Sequence, residues 1–101
     1  MRAFFCNIQT GALEETTLDD ENPLQDARTR FIHGYIELVG VWAMIDNQLK
    51  PCHLLVDEDG RSKDLPINQP ATIIAYGRSG RLSGSFSNIV GPAVLLDGEL
   101  K

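Results

Sequence analysis

Residues 35–42 read YIELVGVW, and this stretch decides the fold of the chain. Aromatic and β-branched side chains dominate it, and such residues favour a β-strand over a helix. Apolar side chains stand on both faces of the predicted strand, which indicates a central position in a sheet. Tyr35 and Trp42 fall on opposite faces by alternation, so we expect one ring in the core and the other partly exposed.

A second strand is predicted over residues 49–56, after a turn at Asp46-Asn47. Pro51 cannot donate a backbone hydrogen bond, so it is expected at a sheet edge or a bulge. The acidic segment 57–60 ends in Asp-Gly, which favours a tight hairpin turn with a left-handed glycine. Residues 61–63 would then begin a return strand.

The first part of the chain predicts a hairpin followed by a helix. Bulky residues at 2–8 and a second run at 12–18 flank a loop that contains Gly11, as in a β-hairpin. A helix is expected over residues 23–33. Its signals are the N-cap Asn22, Pro23 at the first position, Gln25 completing a capping box and Gly34 at the C′ position; the face expected to pack on the sheet is Leu24, Ala27 and Phe31.

The last third of the chain leaves one assignment open. Residues 69–76 are favoured as a short helix that Asn68 caps and Gly77 ends, and the alternative is a strand over 71–76. Residues 77–85 read as a loop. A closing strand is predicted over 89–96, with Gly91-Pro92 marking a bulge or an edge.

These elements predict a small α+β protein in which residues 1–101 form a single domain. The expected order is β-β-α-β-β-β-(α)-β, with a mostly antiparallel sheet and one main helix packed on a face.

The net charge of −5 bears on the kind of partner. An acidic chain disfavours binding to a nucleic-acid backbone, which needs clustered Lys and Arg. The same charge is compatible with solubility alone or with a basic protein partner. The candidate protein-interaction residues are the carboxylates around the predicted helix start, namely Glu14, Glu15, Asp19, Asp20, Glu21 and Asp26.

No run resembles a signal peptide or a membrane span, so a cytoplasmic protein is expected. Cys6 and Cys52 are then predicted to be reduced and buried. Cys52 and His53 are strand neighbours that point to opposite faces, so neither a metal site nor a nucleophile–base pair is expected of them. The acidic turn also fails the calcium-loop pattern, since Gly60 stands at position four. We expect no metal and no cofactor.

One locally basic segment is a candidate anion site. Residues 77–85 combine glycines with Arg78 and Arg81, so exposed amides and guanidinium groups could hold a phosphate. A mobile surface loop is the alternative interpretation. The candidate ligand-binding residues are Arg78, Ser79, Arg81, Ser83 and Asn68.

The chain resembles a family of small proteins of bacteriophages and of actinobacterial and firmicute mobile elements, known as a domain of unknown function (DUF family 3846). The resemblance covers residues 1–97. It departs from the family at Asp57, where Asn is usual, and in a longer loop at 77–85. The motifs that carry it are GYIE at 34–37, VDEDG at 56–60, LPIN at 65–68 with AT at 71–72, and IVGPAV at 89–94. The family brings no established activity, so the resemblance implies a phage or mobile-element setting.

The expected function is that of a non-enzymatic accessory protein of a phage or mobile element. It would bind a host or phage macromolecule and so modulate host functions. The alternative is a small-ligand module that binds a nucleotide or similar anion through residues 77–85.

Overall fold

The computed structural model describes residues 1–76 and 88–100, and within them five antiparallel strands form one sheet. The predicted α+β class is confirmed. In chain order the elements are β1 Arg2–Cys6, β2 Leu13–Thr17, α1 Pro23–Ala27 continued by a π-helical turn Arg28–Ile32, β3 Ile36–Ile45, β4 Gln48–Asp57, α2 Gln69–Tyr76 and β5 Ala93–Leu96.

The strand order is β2-β1-β5-β4-β3, so the last strand in sequence lies at the centre of the sheet. β5 joins the β1–β2 hairpin to the β3–β4 hairpin, and all four of its residues are buried. Among the described residues β3 pairs only with β4 and lies at the edge of the sheet. The prediction of a central strand at 35–42 is therefore wrong. The apolar side chains of Leu38 and Trp42, which suggest a central position, are exposed to solvent.

A helix covers part of each sheet face, where the sequence predicted one main helix on one face. α2 packs Ala71, Ile74 and Ala75 on a core that includes Val41 and Leu54. The other face holds Leu55 and Val94 under Ala27 and Ile32 of the first helix. The helical interpretation of residues 69–76 is confirmed, and the strand alternative is wrong.

The first helix differs from its prediction at both ends and along its buried face. Asn22 makes no side-chain capping bond, and the left-handed residue after the helix is His33, not Gly34. The π turn is closed by His33 N donating to Arg28 O at 2.7 Å. Because a π turn spaces a face by five residues, Ala27 and Ile32 are the buried pair, while Leu24 is exposed and Phe31 is half-buried against Phe5.

Residues 57–65 form a compact series of turns, and the return strand predicted at 61–63 is absent from this described segment. Leu65 N donates to Gly60 O at 3.1 Å, and Lys63 N donates to Asp59 O at 3.0 Å. The left-handed residue is Asp64, at φ 59°, rather than Gly60. Gly60 is required for another reason: a Cβ there would lie 2.9 Å from Val90 O.

Pro51 lies within β4, opposite Trp42, beyond the part of β4 that has registered pairs with β5, so it stands at a local edge of the ladder as predicted. Glu58 N donates to Tyr35 O, so the pair 35/58 is hydrogen-bonded, and every second pair along β3 and β4 follows it. Pro51 falls in a non-hydrogen-bonded pair, so its missing N–H faces the β5 side. The registered pairs with β5 stop at Leu54↔Leu95, so no ladder bond is lost there.

Candidate functional site

Three of the sequence motifs meet at one cleft of about 230 Å³. Glu37 comes from the start of β3, Asp57 and Glu58 from the end of β4, and Ile89 and Val90 from the segment before β5. The turn series 57–65 holds these parts together through the bridge Ile67↔Val90 and Gly91 N donating to Pro66 O at 2.8 Å. Motifs that are separate along the chain therefore lie close together in the structure.

Asp57 lines this cleft and ties together the turns beside it. Its carboxylate is 1% exposed, and Oδ2 accepts from Lys63 Nζ at 2.8 Å while Oδ1 accepts from Asp59 N at 2.9 Å. A Cβ at Gly34 would lie 2.8 Å from Lys63 Nζ, so glycine there lets the ammonium reach the carboxylate. Because a buried carboxylate needs both charge and hydrogen-bond partners, Asp57 serves to fix the turn.

Glu37, Glu58 and Arg61 bring the charges to the cleft rim. Glu37 opposes Val56, and Glu58 opposes Tyr35, so the two glutamates are diagonal neighbours whose Cα atoms lie roughly 7–8 Å apart. Arg61 Nη2 donates to Asn88 O at 2.7 Å. The rim therefore offers carboxylate acceptors beside a positioned guanidinium, which suits a ligand with hydrogen-bond donors.

The predicted anion loop begins and ends at the same cleft. Tyr76 and Asn88, which border residues 77–87, both line it. Arg78, Ser79, Arg81 and Ser83 lie outside the described residues, as does Gly77, the predicted end of α2. The anion site thus stays a prediction, and the structure shows only that the residues on either side of the segment, Tyr76 and Asn88, line the cleft.

Asn68 is fully buried, away from any ligand surface. Its Nδ2 donates to Cys6 O at 3.1 Å and to Gly91 O at 2.9 Å, and its Oδ1 accepts from Ala71 N at 3.1 Å. The predicted capping of α2 is confirmed. Both amide hydrogens are occupied by the fold, so Asn68 has no donor to offer a ligand.

The six candidate acidic residues are spread over β2, the segment before α1 and α1 itself, which holds Asp26, and several already have partners. Glu15 binds Arg2, Glu14 accepts from Asn7 Nδ2, and Asp20 binds the terminal amine of Met1. Asp26 accepts from Asp19 N and Arg30, and Asp19 accepts from Glu21 N. This region therefore presents less unpaired negative charge than its composition suggests.

Arg2 links distant parts of the sheet. It bonds Glu15 on β2 and Asp46 in the β3–β4 turn, and it contacts Asp97 at 3.6 Å. Hydrogen bonding to this guanidinium holds the pKa of Asp46 below its ordinary value. The contact links the tip of the β3–β4 hairpin to β1.

The cysteines and histidines stay apart from the cleft. Cys6 and Cys52 are free and buried, as predicted, and burial raises the pKa of Cys6 to about 12. His53 Nδ1 accepts from Leu100 N at 2.9 Å, and His33 is exposed. Across residues 1–76 and 88–100, no three His, Cys, Asp or Glu side chains converge as a metal site would require.

The largest departure from the sequence analysis is an open apolar face on the β3–β4 hairpin. Trp42 and Met44 are each 65% exposed, Leu49 is 59% exposed and Leu38 is 44% exposed. Register places all four on one side of the sheet, beside Gly40 and Pro51. We call Leu38, Gly40, Trp42, Met44, Leu49 and Pro51 the open face. The prediction that one of the rings of Tyr35 and Trp42 lies in the core is wrong, since Tyr35 is exposed as well.

The signal for the open face was present in the sequence as the apolar run on both faces of 35–42. Hydrophobicity reports that a side chain avoids water but not which chain covers it. Two apolar faces therefore predict a central strand, although β3 lies at an edge of the sheet.

No helix in the described part of the chain is long and apolar enough to cross a membrane. No protein-family model, curated protein or solved structure matches this chain.

Proposed function

We propose that this chain is a non-enzymatic accessory protein that acts by binding another protein chain through the open face. The observation that carries the proposal is Trp42, a large aromatic side chain 65% exposed at the centre of an edge strand. Exposed contiguous apolar groups on a protein of this size mark interaction surfaces, and Trp is the residue most enriched at binding hot spots.

The two edges of the sheet support this assignment by their contrast. β2 is a five-residue edge strand that carries Glu14 and Glu15. Charge and short length are the usual protections of an edge against pairing. β3 is ten residues long and is uncharged from Leu38 to Ile45, so it lacks both protections.

The chemistry of the surface favours a protein partner. The net charge of −5 disfavours a phosphate backbone, and the open face offers apolar side chains and backbone groups. The motif resemblance adds a phage or mobile-element setting, in which the partner would be a host or phage protein in the cytoplasm. This setting is part of the proposal.

The proposal is tested by placing a photo-crosslinking amino acid at position 42 and irradiating intact cells. A matched control places it at position 67, because Ile67 is also an exposed apolar residue but lies outside the open face. We expect protein adducts from position 42 and few from position 67. Equal yields from the two positions, or none from position 42, would refute the proposed surface.

A second candidate function is supported by the cleft, because the segment 77–87 leaves and rejoins the described fold there. A nucleotide or similar anion would bind Arg78 and Arg81 of that segment. A thermal-shift screen with nucleotides tests this, since a ligand at 100 times its Kd adds about 2.7 kcal/mol. The Arg78→Ala/Arg81→Ala variant should abolish any shift, and a shift that survives in the variant excludes this loop as the site.

A further inference from the structure

We infer that the outer edge of β3, which borders the open face, binds a second copy of this chain, with β3 pairing antiparallel to β3 of the partner copy across a two-fold axis at Val41. This inference rests on the proposed function and names the occupant of the same surface. It joins two five-stranded sheets into one continuous sheet.

The backbone groups of alternate residues of β3 point in opposite directions, toward β4 or away from it. The hydrogen-bonded pair 35/58 means that odd-numbered residues of β3 direct their N–H and C=O groups to β4. The even-numbered residues Leu38, Gly40, Trp42 and Met44 consequently direct theirs outward. Within residues 1–76 and 88–100, no strand pairs with this outer edge.

The two-fold axis at Val41 uses all of these outward groups. It places Gly40 opposite Trp42 of the partner copy and Leu38 opposite Met44 of the partner copy, each in a hydrogen-bonded pair. Because the two residues of such a pair exchange both bonds, the four pairs supply about eight hydrogen bonds. That number lies within the usual complement of a specific interface.

The side chains of the open face are complementary in the same register. A Cβ at Gly40 would meet nothing within 4 Å, so the protomer leaves free space there. The partner's Trp42 lies opposite that space, and an aromatic ring across from a strand glycine is a stabilising cross-strand arrangement. A shift of the axis by one residue would lose this match, because it opposes Gly40 to Gly40 or Trp42 to Trp42.

The charges near the axis permit the pairing. Residues 38–45 carry no charge, and Asp46 beyond them is already bonded to Arg2. A self-complementary patch of this kind is what a two-fold dimer requires, since each copy presents the same surface. Strand addition by another protein would need no such match between Gly40 and Trp42.

The exposed apolar area along β3 indicates how tightly the two copies should bind. The exposed parts of Leu38, Trp42 and Met44 amount to on the order of 350 Å² per copy, judged from the 150–250 Å² of an aromatic side chain. A standard interface buries about 800 Å² per partner, and edge-to-edge pairing covers only the sides of these side chains that face the partner strand, so the dimer lies at the small end of the range. We therefore expect a Kd on the order of 1–100 µM.

Sedimentation equilibrium of the full chain tests the inference, at protein concentrations from about 1 to 500 µM, because the dimer fraction must rise with concentration. We expect the wild type to dimerise, Trp42→Lys to weaken the dimer at least about a hundredfold and Ile67→Lys to leave it unchanged. A wild type that stays monomeric throughout, or a dimer that survives Trp42→Lys, would overturn the inference. Circular dichroism verifies that each variant is folded, and Met44→Lys replaces Trp42→Lys if the latter is not.

The crosslinks at position 42 separate this inference from the proposed function. Adducts between two copies of the chain support both. Adducts only with another protein would overturn the dimer while leaving the proposed function in place. The absence of any adduct at position 42 would overturn both.

Discussion

Asn68 joins three separate parts of the chain through one buried amide: β1 at Cys6 O, the segment before β5 at Gly91 O and the first turn of α2 at Ala71 N. Asn68→Ala would remove one hydrogen bond from each of the carbonyl groups of Cys6 and Gly91 and would remove the cap. We expect a loss of about 2–4 kcal/mol in the free energy of unfolding, measured by urea denaturation.

Asn22→Ala is the matched control, because Asn22 precedes α1 but makes no capping bond with its side chain. It should change the free energy of unfolding by less than about 0.5 kcal/mol. Equal losses in the two variants would contradict the assignment of Asn68 as the link between β1, β5 and α2.

Cys6 gives the folded chain a specific dependence on alkaline pH. Burial raises its pKa from 9.0 to about 12, so the unfolded thiol ionises at a lower pH than the folded one. The stability contribution of Cys6 is therefore present below pH 9 and is lost as the pH rises from about 9 to 12, by at most about 4 kcal/mol. Urea denaturation at pH 7.5 and 10.5 should show a smaller decrease for Cys6→Ala than for the wild type, and equal decreases would contradict a buried neutral thiol.

At the level of elements, the turn series 57–65 is held against the segment before β5 by glycines that allow close approach. Gly60→Ala would bring a Cβ within 2.9 Å of the backbone oxygen of Val90, so the two segments must move apart. We expect a loss of about 1–3 kcal/mol in the free energy of unfolding. Gly34→Ala should cost less, because its close neighbour is the end of the flexible Lys63 side chain. The opposite order in denaturation experiments would contradict this description of the turn.

The elements whose signals are local could be predicted from the sequence. Asn68 before residues 69–76, the Asp46-Asn47 turn and the β1–β2 hairpin each follow from residue types at fixed spacing. The π turn at 28–32 could not, since nothing in RTRFI distinguishes five-residue spacing from a regular helix. The order of strands also depends on long-range pairing, so the position of β5 between β1 and β4 was beyond local reasoning.

The candidate site also has parts that the sequence predicts and parts that depend on the fold. The motifs at 34–37, 56–60 and 89–94 were found as segments, but only the fold shows that they line one cleft. The open face was misassigned because an apolar strand with two apolar faces fits a sheet centre and an interface equally well. Its exposure is a property of the assembled sheet.

At the level of the whole molecule, a dimer through β3 would give one ten-stranded sheet with α2 of both copies on the same side. Glu37 of each copy would then oppose Ile45 of the other, so each cleft would be extended by the partner's hairpin tip. The charged, short β2 strands would remain as the two outer edges, where pairing is disfavoured.

The most direct test of this interface is amide hydrogen exchange along β3, measured residue by residue at low and high protein concentration. The amides of Val39, Val41 and Ala43 face β4 and should be protected at both concentrations. The amides of Leu38, Gly40, Trp42 and Met44 should exchange quickly when dilute and become protected when concentrated, because no strand within residues 1–76 and 88–100 pairs with them and the partner copy would. Protection of those four amides that does not change with concentration, or their fast exchange at both, would contradict the account.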